Sequence, residues 1–368
     1  MKVCLLTTVH PYNDQRIFFK EAHSLAKHFP VILIAPDESG WSKTIDNIPV
    51  VAVKRAKSKL LHFVTIWRVF IAGLRTDCSV VHCHEPSSLL VSVLLKVLQG
   101  KRIVYDSHEH YGALLASDPL FPRPFKGILR AATDIFERFL IPFVDAVITV
   151  DEDLAGKYRR FGHNNVSIVA NYPQLDTFDS IPASDHDWDL IYVGGISDER
   201  GIFQMIEAAE RTNCSLACIG YYTNMQNEEV VKKYIKEREC TNVHIIGWRP
   251  QPDAISAIKS SKICFSILHP SPVWDTAVPV KLFEYMSCGK PIIASDLPGI
   301  SSVVKSAECG LTVNPSDVDS IVTAIQYLLE HPKTAAAMAE NGRRATEAKY
   351  NWNVAEKVLY GVMRSLAH

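Results

Sequence analysis

The sequence has little excess of either charge: 39 Lys and Arg stand against 40 Asp and Glu in 368 residues, a formal net charge of −1. A protein that binds nucleic acid through its bulk charge is basic, so any cationic patch here has to be local. No apolar run is long enough to cross a bilayer, and the longest, Leu60–Leu74, is interrupted by His62 and Arg68. The N-terminal MKVCLLTTVH has one Lys, a short apolar stretch and no small-residue cleavage site after it, so it is expected to be a first strand and not a secretory leader. Nine Cys are scattered, and neither a second Cys pair nor a His couplet completes Cys214 and Cys218 into a zinc site. Cys4, Cys83, Cys218 and Cys264 sit in apolar runs as small hydrophobes, a usage that fits a reducing cytosol. HPYNDQ, after the first strand, has no G-x-G-x-x-G, which argues against a dinucleotide-dependent oxidoreductase. Short-period repeats and low-complexity tracts are also lacking.

What is present is an ordinary globular composition, 47% hydrophobic and 21% charged, in a chain longer than one core usually holds. Two domains are therefore expected. Short apolar runs alternate with helix-period stretches: Val3–Thr7 then Gln15–Lys27, Val50–Val53 then Leu60–Leu74, Val80–Cys83 then Ser87–Leu98. Such alternation predicts α/β architecture, parallel sheets covered by helices on both faces in a Rossmann-like, doubly wound manner, with ligands at the carboxyl ends of the strands. Asn171–Asp189, rich in Pro, Asp and Ser, reads as a hinge between a domain over 1–170 and a second over 190–353.

The second half is organised around Ser271–Gly299, SPVWDTAVPVKLFEYMSCGKPIIASDLPG. Pro279 suits the first turn of a helix and Gly289 the left-handed position past its end, which predicts a helix over Pro279–Ser287 and a buried strand over Pro291–Ala294. The first-turn N–H groups, with those of Ala277, Val278 and Val280, present partial positive charge suited to a phosphate. Glu284 would repel that phosphate. It is either a solvated surface residue or the acceptor for a neutral diol such as a ribose, and its apolar neighbours Leu282, Phe283, Tyr285 and Met286 favour the second reading.

PVKLFEYMSCGKPIIASDLPG resembles the nucleotide-sugar-binding segment of the family-four retaining glycosyltransferases of GT-B fold. It is most similar to bacterial members reading P-x-K-L-F-E-Y-M, which act mostly on surface polysaccharides such as lipopolysaccharide or capsule. The resemblance implies two Rossmann-like domains facing across a cleft, with a final helix, about 354–368, returning to the first domain. It also implies a nucleotide diphosphate sugar donor, UDP-sugar favoured, a saccharide or lipid-linked acceptor, no metal and no cofactor. One departure stands out. The family's common pair of Glu with seven residues between them leads back from Glu284 to Thr276, with Asp275 beside it; in the family the first Glu touches the donor sugar's hydroxyls, so the resemblance leaves the identity of the sugar open.

Tyr192-Val-Gly-Gly-Ile-Ser-Asp-Glu-Arg-Gly201 reads as a strand entering a Gly-rich turn, either an ordinary tight corner or a close approach to a diphosphate. Beside the family's usual G-R-x-x-x-x-K-G, Gly194 keeps the first Gly, Gly195 stands where the Arg would and Arg200 where the Lys would. Lys281 or the other domain could then supply the missing cation. Gly247-Trp248-Arg249-Pro250 resembles the loop that holds the nucleotide base, and reads otherwise as a turn before a Pro252-initiated helix. In the first half, His108 of Tyr105-Asp-Ser-His-Glu-His110 falls on the His of the family's D-x-H-E motif beside the sugar–phosphate bond, which places Glu109 on the acceptor side. His82-Cys-His84-Glu85 suggests a supporting hydrogen-bond layer, with a metal site the less favoured reading. Asp14 is a natural helix N-cap, and in the resemblance it orients an acceptor hydroxyl while Arg16 holds a phosphate.

Lys54, Arg55, Lys57, Lys59, Arg68 and Arg75 surround the apolar stretch containing Phe63, Trp67 and Phe70, and Leu120–Lys126 forms a similar patch. These read either as peripheral contacts with the anionic inner face of a plasma membrane from the cytoplasm, or as core helices with charged edges. The favoured function is thus a glycosyltransferase with catalytic candidates His108, Asp14, Arg200 and Glu284. A non-hydrolysing nucleotide-sugar epimerase and an inactive nucleotide-sugar-binding homologue remain as alternatives.

Overall fold

The computed structural model describes residues 1–117, 125–271 and 277–367. They form two compact units, Met1–Asn171 with the C-terminal segment from Trp352, and Tyr172–Asn351.

Unit 1 holds an eight-stranded sheet of β1 (Val3–Leu6), β2 (Val31–Asp37), β3 (Trp41–Ile45), β4 (Ile48–Lys54), β5 (Val80–Cys83), β6 (Arg102–Ser107), β7 (Ala146–Thr149) and β8 (Val166–Ile168), in the order β3-β4-β2-β1-β5-β6-β7-β8. Every pairing is parallel except β3 with β4. Its helices are α1 (His23–Ala26), α2 (His62–Leu74), α3 (Pro86–Gln99), α4 (Tyr111–Ser117), α5 (Lys126–Leu140) and α6 (Glu152–Arg160), with α15 (Trp352–Ser365) arriving from the far end of the chain. The expected helix Gln15–Lys27 opens instead as a π-helical turn, Ile17–Ala22, leading into α1. The carbonyl of Asp14 accepts from the N–H groups of both Phe18 and Phe19, which admits the extra residue. Trp352 Nε1 donates to Ser24 Oγ at 2.8 Å and Lys27 pairs with Glu356 at 2.8 Å, fixing α15 to α1.

Unit 2 holds a six-stranded, all-parallel sheet in the order β11-β10-β9-β12-β13-β14. The strands are β9 (Trp188–Val193), β10 (Leu216–Ile219), β11 (Val243–Gly247), β12 (Ser261–Ser266), β13 (Ile292–Ser295) and β14 (Gly310–Val313). The helices are α7 (Leu175–Ser180), α8 (Ile202–Thr212), α9 (Met225–Glu237), α10 (Gln251–Lys259), α11 (Val280–Ser287), α12 (Pro298–Ala307), α13 (Val318–Glu330) and α14 (Pro332–Ala348). Successive residues of the central strands feed opposite cores. Leu190, Tyr192, Leu216, Cys218, Ile263 and Phe265 pack with α8 and α13, while Ile191, Ala217, Ile219 and Cys264 pack with α10, α11 and α12. Burial on both faces explains why these strands read as continuous apolar runs.

Three features depart from the sequence reading. Within 171–189, read as a hinge, LDTFDS forms α7, and its buried Phe178 ties the segment into unit 2. α12 and β14 fill a stretch left without elements. The edge strand β3, half polar, was not expected. It is reached through Asp46 and Asn47, both at positive φ (48° and 63°), residue types that tolerate the left-handed region in a two-residue hairpin turn.

Candidate functional site

The parallel part of each sheet reverses its strand order once, and a parallel sheet opens a crevice beyond the carboxyl ends of the strands at such a point. In unit 2 the reversal lies between β9 and β12. β9, β10 and β11 each run into a glycine at positive φ, Gly194 (144°), Gly220 (151°) and Gly247 (78°). A Cβ on Gly220 would lie 1.9 Å from the Gly194 carbonyl oxygen, so only glycine allows these two turns to touch. This close packing was legible only as the recurrence of glycine after three strands.

Lys281 comes to the same place from α11. Its side chain is buried, its Nζ lies 3.8 Å from the centre of the Tyr192 ring, and a Cβ on Gly194 would sit 2.5 Å from that Nζ. Among the described residues the amine has no hydrogen-bond partner. Burial, aided by the charge of Arg200 and opposed by Glu284, holds it well below the usual lysine range. Arg200 ends a 3-10 turn, Asp198–Arg200, that Gly201 closes at φ 65°. Its Nε and Cζ lie 3.5 and 3.6 Å from where a Cβ on Gly195 would be. The same Cβ would lie 3.1 Å from Thr223 Cγ2, so a side chain at 195 would crowd Thr223 first. Burial lifts the Tyr192 phenol to about 12 against the opposing pull of Arg200, which keeps it a neutral hydroxyl donating to the Gly195 carbonyl at 2.6 Å.

The helix begins one residue later than expected. Pro279 is the N-cap of α11, in extended conformation (φ −68°, ψ 138°), and Gly289 takes the left-handed position (φ 62°) just beyond the C-terminus. Ala277 and Val278 precede it, half-buried, and Glu284 is half-buried on its second turn. Tyr285 Oη accepts from the Val193 N–H at 2.9 Å, locking the helix to the end of β9. Thr276 lies outside the described residues. Arg249 is exposed, and its guanidinium donates to the neighbouring Trp248 carbonyl. Trp248 and Tyr221, which follow β11 and β10, are exposed with ring planes 16° apart and centroids separated by 6.0 Å. The arrangement gathers a guanidinium and a buried lysine amine against a glycine edge and the amide end of a helix, which can bind a polyanion of phosphate size.

In unit 1 the reversal lies between β1 and β5. Glu85, at the end of β5, accepts from the hydroxyls of Thr7 (3.0 Å) and Thr8 (2.7 Å) and from the Thr8 N–H, joining the two strand ends. Behind them lies a buried ionic cluster. Arg16 donates to Asp106 Oδ2 from Nη2 at 2.8 Å and pairs with Glu21 at 2.9 Å, while His82 and His84 stand 3.6–3.9 Å from the same two carboxylates. The expected phosphate-holding Arg16 is thus committed to internal carboxylates. Burial lowers the pKa of both His and raises that of Glu21, whereas for Asp106 burial is outweighed by the Arg16 charge acting together with Glu21, His108 and His82, which hold it well below the usual range. Glu21, His82, His84 and Asp106 bring ligand atoms within 4.8 Å of one another and could hold a metal ion, although the Arg16 guanidinium already supplies positive charge to both carboxylates.

His108 stands at the rim of this cluster, its Nδ1 3.7 Å from Asp106 Oδ1 and its ring 5.1 Å from that of His10. Asp14 accepts from the N–H groups of Arg16 (2.8 Å) and Ile17 (3.0 Å) and pairs with His10 at 3.3 Å. Its carboxylate therefore caps the π-helical turn. Glu109 is exposed beside His108. The structure therefore brings Asp14, His108 and Glu109 to one end of sheet 1, and Gly194, Gly195, Arg200, Lys281 and Glu284 to one end of sheet 2. Glu21 and Asp106, which anchor the first group, have no role in the sequence reading: Asp106 is the Asp of the D-x-H-E motif and Glu21 follows Asp14 and Arg16 by a few residues, but nothing local shows that the two carboxylates meet around Arg16.

Two parallel-sheet units of this kind define the GT-B class. The structure superposes on sucrose-phosphate synthase from Thermosynechococcus elongatus with a TM-score of 0.79 at 16% identity, over 100% of this chain and 99% of that one. It also superposes on HepE of Anabaena, solved with UDP-glucose, with a TM-score of 0.73 at 14% identity, over 99% and 100%. Residues 16–173 match the profile of Glycosyltransferase Family 4, and residues 174–345 that of glycosyl transferases group 1. The chain belongs to the family-four glycosyltransferases of GT-B fold. It is 25% identical to the alpha-D-kanosaminyltransferase of Streptomyces kanamyceticus over 48% of this chain and 45% of the relative. It is 24% identical to the alpha-maltose-1-phosphate synthase of Mycolicibacterium smegmatis over 76% and 78%. The match to the first of these relatives thus spans less than half of its length.

Proposed function

We propose that the protein is a retaining glycosyltransferase that moves a sugar from a nucleotide diphosphate sugar to a hydroxyl of a saccharide or lipid-linked saccharide in the making of a cell-surface polysaccharide. The observation that carries this reading is the buried amine of Lys281, without a hydrogen-bond partner among the described residues, beside the guanidinium of Arg200 at the glycine turn that ends β9. An uncompensated amine inside a protein is costly, and a diphosphate would supply its missing partner.

In the proposed reaction the bond between the sugar's anomeric carbon and the β-phosphate oxygen breaks, and the acceptor oxygen bonds to the same face of that carbon. The acceptor's proton passes to the departing phosphate oxygen. Arg200 and Lys281, with the amide end of α11, stabilise the leaving diphosphate, which is the main catalytic contribution. The reading assigns charge neutralisation to these side chains, so neither a metal nor a cofactor takes part. Glu284 accepts from the ribose hydroxyls. His108, oriented by Asp106, serves the sugar–phosphate end, and Arg16 acts through Asp106 as a positioning residue. Asp14 and Glu109 remain the acceptor-side candidates.

UDP is the first nucleotide to try, given the HepE crystals with UDP and UDP-glucose. Ligand binding to the native state raises stability by mass action, about 2.7 kcal/mol at a hundred times Kd. A rise in the thermal midpoint with UDP, GDP or ADP, together with acceptor-dependent release of that nucleotide from its sugar, is the expected result. No nucleoside diphosphate shifting the midpoint would defeat the proposal, and turnover of donor without acceptor to an epimeric nucleotide sugar would replace it with the epimerase reading.

A further inference from the structure

The exposed apolar side chains are unevenly distributed. Of the 23 large ones among the described residues, fifteen lie between Leu60 and Phe143, on or beside α2, α3, α4 and α5, and only six lie in the whole of unit 2. These four helices form one layer, α2 packing on α3, α3 on α5 and α5 on α4. Their inner sides already fill a core with Val69, Phe70, Leu89, Leu95 and Leu140. Their outer sides are apolar as well. On the α2 segment Leu60, Phe63 and Trp67 recur at helical spacing, with Trp67 61% exposed, and on α3 Val97 is 68% exposed. On α5 Ile128, Ile135 and Phe139 do the same, Phe139 being 71% exposed. Apolar surface of this extent facing water marks an interaction surface.

Charge indicates what covers it. Residues 54–76 contain six Lys or Arg and no Asp or Glu, and α3 and α4 carry no acid. On α5, Arg130 and Arg138 are exposed, while Glu137 is buried on Tyr105 and Tyr158 and Asp134 is paired with Lys157. A chain of net charge −1 thus concentrates cations around its apolar face. A second copy docked on the same face would bring like charges together, whereas phosphate headgroups complement them.

We propose that the outer face of α2, α3, α4 and α5 docks on an anionic lipid bilayer, with Trp67 and Phe139 entering the headgroup layer and the flanking Lys and Arg contacting lipid phosphates. The docking argument is independent of the donor site. Its consequence, that the acceptor is presented from the membrane, rests on the transferase reading above.

The test is co-sedimentation of the full chain with phosphatidylcholine vesicles, with and without phosphatidylglycerol. About tenfold more protein is expected in the anionic pellet, falling as salt rises, with a blue shift of the Trp67 fluorescence. The double variant Trp67→Glu with Phe139→Glu changes exposed side chains only, so it is expected to keep the wild-type thermal midpoint and lose vesicle binding. Equal pelleting of wild type and variant overturns the proposal. So does a dimer in light scattering that the double variant converts to monomer, which would assign the face to a second copy. Stabilisation by UDP reports the donor site separately: if it persists while vesicle binding is absent, only the docking proposal fails, and the converse result removes only the donor reading.

Discussion

Lys281 is the side chain whose environment says most about what the protein binds. A lysine with no hydrogen-bond acceptor among the described residues, pressed between a tyrosine ring and a glycine turn, is costly to the unliganded fold. Lys281→Met, of similar shape and without charge, is expected to raise stability by about 1–2 kcal/mol in urea melts and to abolish the UDP-induced shift. A loss of stability would mean that the amine serves the scaffold. Because burial holds this amine below the usual lysine range, a diphosphate that restores the ammonium form takes up a proton. Calorimetry in buffers of different ionisation enthalpy should read that proton in the wild type and none in Lys281→Met. Arg200→Ala is expected to cut donor turnover by about 10²-fold or more while leaving the thermal midpoint nearly unchanged. Asp14 offers a complementary test. Burial disfavours its charge, but the bonds from His10, Ile17 and Arg16 outweigh burial and bring its pKa from 3.8 to about 2. A carboxyl depressed in the folded state lends stability that is fully present above about pH 4 and is lost as pH falls toward 2. Asp14→Asn is therefore expected to cost about 1 kcal/mol at neutral pH, with the gap to wild type closing in acid.

At the scale of elements, the site depends on turns that touch. Gly220→Ala drives a methyl group into the Gly194 carbonyl at a positive φ, and is expected to cost about 2 kcal/mol or more and to weaken UDP binding through the displaced turn. Gly100→Ala is the control. That residue ends α3 at φ 69° with no atom near the added methyl, so only the backbone penalty of about 1 kcal/mol is expected, with UDP binding intact. Equal costs for the two would show that the close approach of the β9 and β10 turns carries no weight.

At the scale of the molecule, unit 1 is discontinuous in sequence. α15 buries Trp352, Ala355, Leu359, Val362 and Met363, and the Trp352 indole donates to Ser24. Trp352→Ala is expected to cost about 3–5 kcal/mol. Its signature is regional: hydrogen exchange should quicken in β1, β2 and α1 and stay unchanged in β9–β14. Uniform acceleration would contradict a unit 1 that closes through its own C-terminal helix. Among the described residues no helix is long and apolar enough to cross a membrane.

Much of this was written in local pattern. The alternation of short apolar runs with helix-period stretches determined two parallel-sheet units, because strands buried on both faces must be apolar throughout. The PVKLFEYM segment, with Gly289 after it, located a helix to within one residue. Gly194, Gly195, Arg200 and Lys281, read from the sequence as candidates for holding a diphosphate, meet at one end of the second sheet. The α7, α12 and β14 elements escaped because Pro, Ser and Gly within them obscured a period that packing alone sustains. What only the tertiary structure decided is which charges meet. Arg16 turned inward to Asp106 and Glu21, Lys281 crossed to the Gly194 turn, and four helices kept apolar side chains on both sides. Pairings across ninety residues of sequence leave no local periodicity, since they are set by strand order and by the cost of burying a charge alone.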